Sequence, residues 1–278
     1  VNGTSPLGLA LKNHQFVAGA FIFLSVLLVA IFADQLALRP YDAMNLAQRL
    51  APPGPGHPLG TDEFGRCLAS RIIYGTRIAL MVGLIVVTIE IVIGVTLGLL
   101  AGYYGRWADR IISFVTDVTW SLPPIILALA IVTILGPSLI NVMIAIAAVS
   151  WVGYARLIRA KTQGLKNTPF VEAAQAVGES NFSVMFRYIL PNTLGLIIVL
   201  GTLSLPAAIL LTTALSFLGL GSQPPAPDWG VILNRGLSHL HEAPWVSIFP
   251  GLALVWTALG FNLLGEGLRD LVDPQLKA

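Results

Sequence analysis

The chain has 278 residues, of which 55% are hydrophobic and only 11% charged, with 16 Lys and Arg against 14 Asp and Glu. An average soluble domain carries roughly 25% charged residues, so this composition excludes a disordered chain and most water-soluble enzymes. A net charge of +2 gives no reason to expect a nucleic-acid partner, and charges gathered between long apolar runs are the pattern of a polytopic membrane protein.

A membrane span needs about 20 mostly apolar residues. The first such run is Phe16 to Ala33. It exceeds a signal-peptide core and reads as an uncleaved first helix. The second is Ile78 to Ala101, interrupted by Glu90 alone, and its Gly94, Gly98 and Gly102 form a smooth stripe suited to close helix packing. The third runs from Ile111 to Leu135 with Asp117 near its start and Pro123-Pro124 inside. Leu139 to about Ile158 is the fourth, Pro191 to beyond Leu211 the fifth, with Pro206 in its middle, and Val246 to Leu264 the sixth. Backbone groups in lipid must be bonded internally, so the expected fold is all-α with six transmembrane helices.

Lys and Arg near the span ends set orientation. With the N-terminus inside, Lys12, Arg106, Arg110, Arg156, Arg159, Lys161, Lys166, Arg187, Arg269 and Lys277 are inner, and Arg39, Arg49, Arg66, Arg71, Arg77 and Arg235 are outer. This bias predicts both termini in the cytoplasm. Three connections are long: an outer loop from Asp34 to Arg77, an inner segment from Arg159 to Leu190, and an outer segment from Ser216 to Pro244. Long connections in a compact chain are usually functional.

The inner segment has helical chemistry. Thr168 is a good N-cap residue and Pro169 suits the first helical position. Glu172 complements the helix dipole, Gly178 suits a left-handed stop, and Ser180 suits the cap of a second short helix. Small residues with aromatic anchors, Phe170 among them, are the chemistry of a helix seated in a groove of another protein.

Here the chain resembles a known family. Glu172-Ala173-Ala174, then Gly178, then Tyr188-Ile189-Leu190-Pro191 is similar to the EAA loop of ABC importer permeases, which usually have Ile where this chain has Tyr188. Leu59-Gly60-Thr61-Asp62-Glu63-Phe64-Gly65-Arg66 resembles the outer-loop motif of the peptide/nickel subfamily, with Cys67 where that motif commonly continues with Asp. Ser216 to Gly221 with Gln223 to Gly230, and Gly265 to Asp270 with Asp273-Pro274, resemble further segments of its "C" type members.

The resemblance implies the type I ABC importer permease fold. It implies a bacterial inner-membrane, multi-pass subunit of an ATP-driven importer for di- or oligopeptides or a related small solute. The implied partners are a second homologous permease, two ABC ATPase subunits, an extracytoplasmic solute-binding protein and the lipid membrane. ATP belongs to the ATPase subunits, since this chain has no P-loop sequence, and no cofactor or metal is expected in it. Glu172, Ala173, Ala174, Gly178 and Phe170 become the ATPase-coupling residues. Residues 1–75 become an N-terminal segment with the first helix and outer loop, 76–265 the transport domain with the coupling loop at about 159–190, and 266–278 a cytoplasmic tail.

Within the membrane, Glu90, Pro123 and Pro206 are candidates for the translocation path, because a mid-span carboxylate is costly and prolines free backbone carbonyls. Competing readings are an intramembrane enzyme or a secondary transporter using Glu90 and Asp117. His239, His241 and Glu242 fall short of a metalloprotease motif, because Trp245 stands where its second His belongs. Trp229 and Trp245 are expected at the membrane interface.

Overall fold

The computed structural model describes residues 12–272. The described elements are helices, apart from two single bridge pairs, Gly54–His57 and Thr61–Cys67. The principal helices are α1 (His14–Ile31), α2 (Leu68–Tyr104), α3 (Arg106–Trp120), α4 (Pro124–Leu135), α5 (Leu139–Lys166), α6 (Pro169–Ala176), α7 (Leu194–Phe217), α8 (Trp229–Leu237) and α9 (Trp245–Val272). Five stretches are long and apolar enough to cross a membrane, and α3 with α4 makes a sixth if that pair is one span. Lys277, Asp273 and Pro274 lie outside the described residues.

The third span is not one helix. A break of three residues after Trp120 bends α3 from α4 by 89°. Pro123 sits in extended geometry at the break and Pro124 opens α4. A proline disfavours helical geometry in the residue before it and supplies no N–H, so two in succession end one helix and start another.

Several helices are longer than hydropathy alone suggests. The 37 residues of α2 span about 55 Å, well beyond a hydrocarbon core of about 30 Å. Its first turns, residues 68–77, lie in what reads from sequence as the outer loop. Their arginines are satisfied across the chain: Arg77 pairs with Asp34 at 3.0 Å and donates to the Ala30 carbonyl at 2.6 Å. Likewise α5 continues past Ile158 to Lys166, and α9 past Leu264 to Val272.

Packing follows the small residues. A Cβ on Gly94 would stand 2.5 Å from the Tyr154 Cβ, one on Gly98 2.7 Å from the Ala155 carbonyl oxygen, and one on Gly102 2.6 Å from the Thr162 Cβ. The glycine stripe of α2 is therefore the seam along which α5 lies in backbone contact, as close helix crossing in lipid requires. Val82, Val86, Val132, Val142, Ile146 and Leu215 fill the core where α2, α4, α5 and α7 meet.

The connections at 34–77 and 216–244 fold together at one end of the bundle. Asp62, Arg66 and Arg71 are 1%, 2% and 1% exposed. The Arg66 Nε donates to Asp62 at 2.6 Å, and Arg71 donates to the carbonyls of Tyr41 and Pro225, each at 3.2 Å. Arg235 reaches Glu63 at 2.8 Å. Burying a guanidinium is costly unless it is paired and hydrogen-bonded, so these ties hold the two segments to each other.

Trp229 and Trp245 both belong to this junction. Trp229 is buried and donates to the Ile72 carbonyl, and Trp245 donates to the Thr61 carbonyl. Cys67 is the N-cap of α2 and makes no side-chain capping bond, so the thiol stands where the subfamily's Asp could cap the helix.

Candidate functional site

At the opposite end, α5 hands over to α6 through Asn167 and Thr168. Thr168 occupies the cap position, but its hydroxyl donates back to the Leu165 carbonyl at 2.6 Å instead of capping α6. Pro169 takes the first helical position, as its fixed geometry favours. Eight residues later the chain turns, with Gly178 at φ +85°. Left-handed geometry of this kind ends helices and costs glycine least. The Glu179 N–H returns to the Ala174 carbonyl at 3.1 Å to close the turn.

The segment then restarts. The Ser180 hydroxyl accepts from the Ser183 N–H at 3.2 Å and caps the single turn Asn181–Ser183. A π-helical stretch, Val184–Ile189, and a 3-10 turn, Pro191–Thr193, lead into α7. Tyr188, the departure from the usual motif, donates to the Glu179 carboxylate at 3.4 Å across the turn.

One face of α6 is buried and the other bare. Val171 and Ala174 are 0% and 4% exposed and join Leu99, Ile158, Val184 and Met185 in a single apolar cluster. Phe170, Glu172, Ala173 and Gly178 are exposed, and Val177 stands 80% exposed beside them. Of the predicted coupling residues the structure thus brings four to one open surface and turns Ala174 inward beneath it. Phe182 is also exposed, with its ring centroid 4.4 Å from that of Phe186.

The underside of the segment is held by groups that sequence reasoning did not single out. The Tyr103 hydroxyl, at the end of α2, donates to the Asn181 side chain at 2.8 Å and accepts from the Gln175 amide at 3.2 Å. The Lys166 ammonium donates to the Tyr103 carbonyl at 2.6 Å. No local pattern marks Tyr103, since its partners lie 72 and 78 residues further on.

Inside the bundle, Glu90 is 3% exposed and neighbours Ser150 of α5. Tyr154, one turn along α5, donates to Ser204 of α7 at 2.9 Å. Pro206 is buried within an unbroken α7, whereas Pro123 is exposed at the α3–α4 bend. Asp117 is engaged by Arg156 at 2.6 Å, and Asp109 by Arg159, so both acids tie α3 to α5. Among the described residues Glu90 and Pro206 are thus enclosed, and Pro123 is open at the bend.

The sequence profile of a family described as "Binding-protein-dependent transport system inner membrane component" matches residues 94–278. The chain belongs to this family. A second profile, the N-terminal transmembrane domain of oligopeptide transport permease C, matches residues 10–53 of the permease. It is similar to the dipeptide transport system permease protein DppC of Alkalihalophilus pseudofirmus, with 46% identity over 96% of this chain and 88% of that one. It is similar also to the glutathione transport system permease protein GsiD of Pectobacterium atrosepticum, with 45% identity over 96% and 89%. The GsiD of Escherichia coli O157:H7 is 42% identical over 96% and 88%. The permease is thus an inner-membrane, multi-pass transport component of the ABC importer class and not an enzyme.

Proposed function

We propose that this permease is one of two homologous membrane subunits of an ATP-driven importer for di- or oligopeptides or a closely related solute such as glutathione. Two ATPase subunits act on it from the cytoplasm, and an extracytoplasmic binding protein delivers the solute. One observation carries the reading: a short helix with a buried inner face (Val171, Ala174) offers an open, partly apolar outer face (Phe170, Glu172, Ala173, Val177) and ends on a left-handed Gly178. A partner helix-binding groove buries such a face at little ordering cost, because the helix is already formed. The printed names of relatives above 40% identity, a dipeptide permease and glutathione permeases, support the solute class.

In this reading residues 76–265 form the transport domain, 1–75 the N-terminal helix with the outer loop, and 266–278 the tail, with both termini cytoplasmic. Pro123, exposed at the α3–α4 bend, borders the path beside the second permease, whereas Glu90 and Pro206 are enclosed between helices and reach it only when those helices part. The enzyme and secondary-transporter readings lose support, because Asp117 is held by Arg156 and Glu90 is enclosed between helices.

The test is purification and labelling. A tagged permease should copurify with two ATPase subunits and a second permease. Isolation without ATPase subunits under conditions that keep the membrane subunits together rejects the proposal. Cysteine at exposed Gln223 should react with an impermeant thiol reagent from outside the cell, and cysteine at exposed Asn167 should not. Native Cys67 is 1% exposed and gives a silent background.

A further inference from the structure

Tyr103 is the last residue but one of the longest helix in the chain and is 4% exposed. Three separate pieces of the cytoplasmic region converge on it. Lys166, the final residue of α5, donates to its carbonyl and lies 5.5 Å from its ring centroid. Gln175 comes from α6, and Asn181 opens the turn beyond Gly178. One phenolic hydroxyl therefore bridges the helix before the Gly178 turn and the helix after it. Its ring is embedded with Leu99, Val171 and Val184 in the apolar cluster beneath them.

The geometry of this junction matters because of what α2 does elsewhere. It runs from the buried arginine network of the outer cap, along the glycine seam with α5, to Tyr103. A helix of this length moves as a rod, whereas the two helical turns around Gly178 are short and joined by one left-handed residue. Apolar contact alone is non-directional and lets such turns rock on the cluster. A hydroxyl that donates to one turn and accepts from the other fixes both in a defined direction, since hydrogen bonds weaken steeply off axis.

We propose that Tyr103 is a positioning residue that makes the α6–Asn181 hairpin and α2 move as one body, so that displacement of the hairpin by an ATPase is delivered to the outer end of α2. This rests on the coupling reading given under Proposed function. Gln175 and Asn181 are the two handles, and Lys166 holds the end of α2 against α5.

The experiment uses the whole reconstituted complex in liposomes, with a radiolabelled dipeptide and radiolabelled glutathione as probes, and reads uptake per ATP hydrolysed. Tyr103→Phe keeps the ring and its packing and deletes both bonds. Assembly and ATP hydrolysis should persist while uptake per ATP falls by about five-fold, the scale of one net hydrogen bond in a conformational equilibrium. Gln175→Ala and Asn181→Ala, both at exposed positions that do not threaten folding, should each give part of that loss and add nothing to Tyr103→Phe. Asn181→Asp keeps the acceptor and should keep coupling.

A general loss of stability lowers uptake and hydrolysis together and leaves their ratio unchanged. An unchanged ratio in Tyr103→Phe and in both alanine variants, with wild type coupled, overturns the clamp alone. A wild-type complex that assembles with its ATPases yet shows no ATP-dependent uptake of either probe overturns the coupling reading and the clamp with it.

Discussion

Tyr154 of α5 packs its Cβ against the bare backbone of Gly94 on α2, where an added Cβ would stand only 2.5 Å away. The contact sits between two polar links, Glu90 with Ser150 and Tyr154 with Ser204, so the seam that brings the backbones together also aligns these groups. Gly94→Leu is therefore expected to force α2 and α5 apart. Overpacking a close-packed interior costs roughly 1–3 kcal/mol or more. The variant should lower the melting temperature of the purified permease and weaken its assembly, as read by thermal shift and size-exclusion chromatography. A wild-type melting curve would show that the seam is not a structural determinant.

At Gly178 the obstacle is different. A Cβ there meets nothing within 4 Å, so the strain comes from φ +85° and not from crowding. A left-handed conformation costs a non-glycine residue about 1–2 kcal/mol, and Asn tolerates it better than most. Gly178→Leu should insert normally and lose most uptake, with Gly178→Asn close to wild type. Equal activity of the two variants would remove the backbone argument.

The spans were legible because hydropathy and length are local quantities, and Gly178, Pro169 and the glycine stripe were legible because their chemistry is local as well. What stayed hidden depends on partners far along the chain. Residues 68–77 contain Arg71 and Arg77 and read as loop, yet they are helical. Arg71 is satisfied by carbonyls more than 150 residues away, and Arg77 by Asp34. Trp229 resembles an interfacial aromatic until the Ile72 carbonyl is seen to receive its N–H. Tyr103 carries no signature at all, because its value lies wholly in Gln175 and Asn181. The α3–α4 break was half visible: Pro123-Pro124 marks the place, but no local pattern gives the 89° angle between the two helices.

The loop between α1 and α2 carries a pH dependence through His57. Its ring is buried, with Nε2 2.8 Å from the Gln48 amide oxygen and Nδ1 without a partner. Burial and the nearby Arg39 charge push its pKa below the usual histidine value of 6.5. The unfolded loop therefore binds the proton more readily than the folded one. Stability from this group is complete above the unfolded pKa and is lost as pH falls through that value toward the depressed folded one. Limited proteolysis of residues 50–60 should be faster at about pH 5 than at about pH 7.5. His57→Gln should flatten that difference, and a difference that survives the substitution would assign the effect to another group.

Glu90 offers the sharpest separation between structure and transport. It is enclosed by α2 and α5, with the Ser150 hydroxyl as its neighbour and no cation in an ion pair with it among the described residues. A carboxyl group in that setting serves as a hydrogen-bonding peg between helices, and an amide of the same shape does the same work. Glu90→Gln should therefore leave melting temperature and peptide uptake unchanged. Glu90→Leu deprives the half-buried Ser150 hydroxyl of its partner and removes the polar link between α2 and α5, and it should lower the melting temperature and destabilise the assembled complex. Uptake that drops in Glu90→Gln while the melting temperature holds would mean that the negative charge itself acts on the solute, and that α2 and α5 part to expose it during transport.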